Sequence, residues 1–173
     1  MIEIKLEEKI FQVRNLFSEM TIDEYQKIIE LFKDEKLNNI SLWLEIFEVL
    51  KWDEELVDNL DYNSFEEITT KFDFTEINGD IIRTIDNYEC YPEDGTFKLK
   101  VRDLLKVEEY FREEDYLAKI AATIYKTIGS TKEEDIKNWD NKVKTFKNMN
   151  AAIITPILKE INISLTKKNK INE

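Results

Sequence analysis

Two carboxylates held close together are the simplest catalytic device this chain could build, and acids are plentiful, with 37 Asp and Glu. The densest clusters are Asp53-Glu54-Glu55 and Glu113-Glu114-Asp115. Both fall where helix N-termini are expected, and acids there favour the helix dipole without any catalytic duty. Histidine is absent, which removes serine and cysteine triads and most zinc sites. There is no glycine-rich phosphate loop, paired-cysteine spacing or calcium loop. Cys90, the one cysteine, has no histidine to activate it and no partner for an internal disulfide. It reads as a small core residue in a reducing compartment. Tyr88 and Tyr91 near a hairpin, and Arg14 and Arg102 at matched positions, are the polar groups whose placement looks deliberate. The arginines are expected to pair with acids at hairpin-to-helix junctions. No residue earns a catalytic, cofactor or metal assignment, so the expectation is a protein that is not an enzyme and needs no cofactor.

The matched positions belong to a phrase used twice. Val13-Arg14-Asn15-Leu16-Phe17, three further residues, then Thr21-Ile22-Asp23-Glu24-Tyr25 reappears as Val101-Arg102-Asp103-Leu104-Leu105-Lys106-Val107-Glu108-Glu109-Tyr110. Five of the ten aligned positions are identical, which marks Arg14, Tyr25, Arg102 and Tyr110 as junction residues of an internal repeat. Each copy follows a predicted hairpin. In the first, Ile2, Ile4 and Leu6 alternate with charged residues and Phe11 and Val13 with Gln12 and Arg14, the period of half-buried strands. In the second, Tyr88 and Cys90 form an incoming strand, Phe97, Leu99 and Val101 an outgoing one, with Pro92-Glu93-Asp94-Gly95 as the turn. One hairpin-plus-helix unit cannot cover its own apolar face, whereas two can cover each other, so the hairpins are expected to pair or stack as one small sheet.

Helix starts are marked by Thr21 with Glu24, Ser64 with Glu67 and Thr131 with Glu134, each a capping-box pattern. Ile22, Tyr25, Ile28, Ile29 and Phe32 make one helical face. From Ser41 to Trp52 apolar residues nearly surround the helix, which places it either in the core or under a partner. Trp43, Phe47, Leu50 and Trp52 are therefore candidate partner-binding residues. Asp53 is expected to cap a short helix through Leu60. A helix over Tyr116–Ile128 is closed by Gly129 as its C′ residue. After Thr131, Ile136, Trp139, Val143 and Phe146 keep a 3-4 spacing, resumed at Ile153 and Ile157. This is either a face on the chain's own core or a seam to another protomer with Asn150 fixing register, which makes Trp139 and Phe146 candidates for partner binding too. Pro156 either starts a new helix or kinks a longer one. The expected fold is α+β and mainly helical: one domain with a hairpin-helix unit at 1–34, a helical insertion at 35–80, a second hairpin-helix unit at 81–128, and C-terminal helices with a basic tail at 129–173.

Charge is uneven along the chain. Residues 1–115 carry 31 acids and 14 bases, a balance of −17, whereas residues 116–173 carry +5. Phosphate neutralisation by such a body is unfavourable, so direct nucleic-acid binding is not expected. A solvated surface, a charge dipole that orients partners, or an acidic inhibitor covering another protein's nucleic-acid-binding surface are all consistent with it. The start of the chain alternates charged and apolar residues, unlike a signal peptide, and no apolar run reaches membrane-spanning length.

Met20-Thr21-Ile22-Asp23-Glu24-Tyr25-Gln26-Lys27-Ile28 and the phrase from Val101 to Tyr110 resemble a pair found in small proteins of tailed-bacteriophage structural modules. There a phrase of leucine, threonine, a variable residue, glycine, glutamate and tyrosine follows a strand, and Asp23 and Glu108 stand at the glycine position here. An alanine- and tyrosine-containing helix comes next, similar to Leu117–Tyr125. The likeness spans roughly residues 13–160. It implies a tail-assembly-chaperone-like, baseplate, neck or head-tail component that binds other phage structural proteins, with self-association also open. No membrane is implied, and the expected place is the virion or the cytoplasm of the infected host.

Overall fold

The computed structural model describes residues 1–6, 8–14, 19–72, 80–90 and 101–171, with side chains among these except at Leu6, Val101, Arg102, Leu104 and positions 163–171. The fold is α+β and mainly helical, with two small antiparallel sheets.

The first hairpin forms as its alternation predicts. Strand β1 (Ile2–Leu6) pairs with β2 (Lys9–Val13), in register from Ile2↔Val13 to Leu6↔Lys9. Ile4 and Val13 face inward and are buried, while Glu3, Lys5, Ile10 and Gln12 are exposed. Helix α1 (Ile22–Lys33) opens on a complete capping box: Thr21 Oγ1 accepts from the Glu24 N–H, and the Glu24 carboxylate accepts from the Thr21 N–H. Three further helices follow: α2 (Asn39–Val49), α3 (Glu54–Asp58) and α4 (Tyr62–Thr70). Asn38, Asp53 and Asp61 cap them, each side chain accepting backbone N–H bonds from the first turn. Asp61 displaces the expected Ser64 start. An aspartate placed before Tyr62 caps earlier, so Ser64 lies inside α4 with its hydroxyl bonded to Asp61.

Helix α2 ends in a Schellman motif. The Trp52 N–H bonds to the Phe47 carbonyl and the Lys51 N–H to that of Glu48. Lys51 takes the left-handed conformation this requires, with φ of 56°. The accompanying apolar contact is a stack of Phe47 on Trp52, centroids 4.2 Å apart. Phe65, Phe72 and Trp43 extend it into an aromatic cluster.

The second half departs from expectation. Strand β4 (Tyr88–Cys90) forms where the incoming strand was expected, but it pairs with β3 (Thr84–Ile85) and β5 (Tyr125–Thr127), giving the order β3-β4-β5. Val101 opens helix α5 (Val101–Tyr110) rather than ending a strand. Pro92–Gly95, Phe97 and Leu99 lie outside the described residues. Among the described residues the two copies differ at their starts, where Val13 ends a strand and Val101 opens a helix, and at Thr21, which caps α1 while Lys106 lies inside α5; Ile22–Tyr25 and Val107–Tyr110 are helical in both. Among the described residues the hairpin β1–β2 and the three-stranded sheet are separate, and they do not form the expected single sheet of paired copies.

The helix expected over Tyr116–Ile128 stops early. Helix α6 (Tyr116–Ile124) gives way to β5, because Tyr125, Lys126 and Thr127 find ladder partners in Cys90, Glu89 and Tyr88. Gly129 has φ of 76°, but it serves the turn leaving β5, where the Ser130 N–H bonds to the Thr127 carbonyl. The capping box at Thr131 and Glu134 is present. Its helix α7 (Lys132–Lys137) breaks at Asn138 before α8 (Trp139–Lys147). A 3-10 turn at Ala151–Ile153 leads into α9 (Ile154–Ile171), with buried Pro156 in its first turn, where proline is tolerated.

Helix α1 is the wall between two apolar clusters and contacts α2, α6 and α8. Met20 and Ile28 belong to the cluster built from the hairpin and α2–α4, and Ile22 to that of α5–α9, while Tyr25 packs against both. Phe32, expected on this buried face, is 52% exposed. The Asn150 side chain caps the 3-10 turn, and its backbone bridges antiparallel to Thr21. Bonds of 2.8 Å from Ile22 N–H to Met149 and from Ala151 N–H to Met20 complete that clamp.

Candidate protein-binding site

Arg14 leaves the end of β2 and reaches across to α1 and α2. Its guanidinium donates two 2.9 Å bonds to the two oxygens of Glu24, a bidentate pair. A third 2.9 Å bond goes to the Leu50 carbonyl, one of the acceptors left over at the end of α2. Glu24 is only 7% exposed. Burial alone would raise its carboxyl pKa, but Arg14 and the Thr21 groups outweigh that and hold it below the ordinary glutamate value. The cap of α1 thus also ties the hairpin to the end of α2.

Beside this tie runs a groove of about 410 Å³. Ile10, Gln12 and Arg14 form part of one wall, with Leu50, Lys51 and Trp52 on the other. Lys9 pairs with Glu55 near one end. The Trp52 indole N–H is buried and makes no hydrogen bond.

A second, larger cleft of about 580 Å³ lies between α5, β5, α7 and α8. Lys106, Lys126, Lys132, Asp135, Ile136 and Trp139 line it. Lys126 is paired with Glu89 at 3.1 Å. Asp135 accepts from the Thr127 hydroxyl at 2.6 Å and from the Lys142 ammonium at 2.5 Å. Lys142 is 3% exposed. Burial pushes its pKa down, and the Asp135 carboxylate opposes that. Burial would raise Asp135, but Lys142 and Thr127 prevail and keep it low. This pair, a buried Lys142 on a half-buried Asp135, fastens α7 and α8 to β5.

Of the candidate partner-binding residues, Phe47, Leu50, Trp52 and Phe146 are buried in the chain's own clusters and present no docking face. Their burial corrects that expectation, since intramolecular aromatic packing already uses them. Trp43 and Trp139 are half-buried. Trp43 rests on Phe72, 4.9 Å away, and Trp139 stacks on Tyr110 at 6.2 Å. Arg14 sits in the tie described above and Tyr25 between the two clusters. Arg102 is near the start of α5, and its side chain lies outside the described ones. Tyr110, like Tyr25, packs against the α5–α9 cluster, and Arg14 stands apart from it in its tie to Glu24 and Leu50. Cys90 packs against the α5–α9 cluster, and burial pushes its thiol up to about 11.

Sequence reasoning missed Ile10 and read Ile136 only as part of the face running to Phe146; the two are 64% and 63% exposed, each on a wall of one cleft. Ile10 carried a signal, because it is the one apolar residue out of phase with the alternation of its strand. Among the described residues, no cluster of three acids or cysteines is placed to hold a metal ion, and no helix is long and apolar enough to cross a membrane. No protein-family model, curated protein or solved structure matches the chain.

Proposed function

We propose that this chain is a non-enzymatic phage assembly or virion protein that works by holding other structural proteins of the tail, neck or head-tail junction. The observation that carries the protein-binding part is the placement of Ile10 and Ile136: two large aliphatic side chains left in water, each on the wall of a groove rather than scattered at random. Further apolar side chains, Ile40 and Leu44, lie one turn apart on the outer face of α2. The phage part is supported by the resemblance of the phrases around Tyr25 and Tyr110. Co-purification of the full chain with the tail and neck proteins of its gene module tests the proposal, and a chain that elutes alone in their presence overturns it. Mass spectrometry of purified particles separates a retained component from a transient chaperone.

An acidic inhibitor of a nucleic-acid-binding protein is the second reading, favoured by the balance of −17 over residues 1–115. Several of those acids are already engaged at helix starts and in ion pairs, among them Asp23, Glu24, Asp53, Asp61 and Asp115. Binding to a basic partner that weakens steeply with salt would favour this second reading over the first.

A further inference from the structure

Two exposed faces of this chain carry opposite charge at the same spacing. On α2, Ile40, Leu44 and Glu48 follow one another a turn apart along the outward side, with Glu45 beside them. All four are exposed, Ile40 by 49% and Leu44 by 44%. Helix α2 carries no basic residue, and Glu45 and Glu48 make no ion pair among the described residues. The cleft beside α7 is the reverse. Lys132 and Ile136 lie one turn apart on α7, Lys106 comes from α5, Lys126 from β5, and half-buried Trp139 from the start of α8. Lys126 is matched by Glu89, and the lining acid Asp135 by Lys142, which leaves Asp103 as the one uncompensated acid of the lining. Against it stand Lys106 and Lys132, both exposed and without an ion pair among the described residues. In a chain of net charge −12, cations brought from three elements to one cleft mark a place for an acid.

We propose that a second copy of this chain supplies that acid: α2 of one copy lies antiparallel across α7 of the next, with Leu44 on Ile136 and Glu48 against Lys132. The contact goes beyond the binding of other structural proteins and needs only copies of this chain. Three observations select the occupant. Charge is complementary, two glutamates without ion pairs on one face and two such lysines on the other. Spacing is complementary, because each helix sets its aliphatic residue four positions from its charge, about 6 Å away, so both contacts form in one register. In that register Ile40 continues toward Trp139, three residues beyond Ile136. The third observation is location. Helix α2 belongs to the cluster on the hairpin side and the cleft to the α5–α9 cluster, so the faces lie on different halves of the molecule. Unlike faces leave every copy with one of each, and the contact repeats head to tail, the arrangement that builds rings or filaments.

The test is sedimentation velocity of the full chain over a concentration series, for the wild type, Leu44→Lys and Ile136→Glu. Both side chains are exposed, so both variants are expected to melt as the wild type does. The wild type is expected to grow in size with concentration and to shrink with added salt. Each variant removes an aliphatic contact and sets like charge against the opposite face, so association weakens about tenfold or more. An equimolar mixture of the two variants associates where neither does alone, because the intact α2 of Ile136→Glu meets the intact cleft of Leu44→Lys. The register is read from Glu48→Lys, Lys132→Glu and the chain carrying both: each reversal alone weakens association, and the double reversal recovers it. A wild type that is monomeric at every concentration overturns the contact, as does a variant that associates like the wild type. A mixture that stays monomeric, or a double reversal without recovery, overturns it equally. Co-purification with phage structural proteins decides the broader reading separately, whichever way self-association falls.

Discussion

Arg14 satisfies a buried carboxylate and a helix-end carbonyl with one planar group, and no other residue type does both. Arg14→Ala leaves Glu24 and the Leu50 carbonyl without their donors and is expected to destabilise the fold by about 3 kcal/mol in urea unfolding. Lysine at this position cannot bond bidentately and is expected to recover only part of that loss. The same pair sets an acid limit. Because the folded carboxyl of Glu24 is held below its ordinary value, its contribution is complete above the unfolded pKa of about 4, and is lost as pH falls through the lowered folded value. Melting temperature measured against pH should therefore fall in that window, and less steeply in Arg14→Ala. Lys51 gives the opposite case, a side chain where glycine fits better. Lys51→Gly is expected to stabilise by up to about 1 kcal/mol, since the left-handed backbone strains any Cβ; a lower urea midpoint would show that Lys51 makes compensating contacts. Cys90, with its thiol raised to about 11, should react with iodoacetamide at pH 8 far more slowly than an unhindered cysteine.

At the level of elements, the main dependence between distant segments is a side chain standing in for a helix cap. Asp115 sits in the left-handed conformation and caps nothing, so the Leu117 N–H at the start of α6 is bonded by the buried Gln26 amide oxygen of α1 at 2.9 Å. Gln26→Leu should cost about 2 kcal/mol, and it should speed amide exchange at Leu117 more than at the end of α6. Local signals were legible in the chain: the alternation of β1–β2, the two capping boxes at Thr21 and Thr131, and the Asp53 cap all act within a few residues. What the chain did not disclose depends on remote partners. Tyr125–Thr127 becomes strand because β4 lies alongside, and Gln26 matters because α6 lacks its own cap. The phrase around Val13 and Val101 shows the limit most directly. Val13 and Val101, matched in sequence, adopt different backbones because Val13 has a ladder partner in Ile2, while Val101 begins a helix that packs on α6. Of the candidate site, the arginine at the hairpin end was legible, whereas the aromatic residues marked for docking were absorbed by the core.

For the whole molecule, α1 joins two apolar clusters and the clamp at Met149–Ala151 closes on its start, so the two halves should unfold together rather than in sequence. The grooves lie on either side of this spine, the smaller one beside the hairpin and the larger one beside α7. Their shared feature is an exposed isoleucine, so either groove can be altered without disturbing the clusters. The most direct measurement is recovery of phage structural proteins by the tagged full chain from infected cells, compared with Ile10→Glu and Ile136→Glu. The expected result is recovery of tail, neck or head-tail proteins that falls sharply in at least one variant while both variants melt as the wild type does. Equal recovery by all three chains, or a wild-type chain that brings down none of those proteins, would contradict the account.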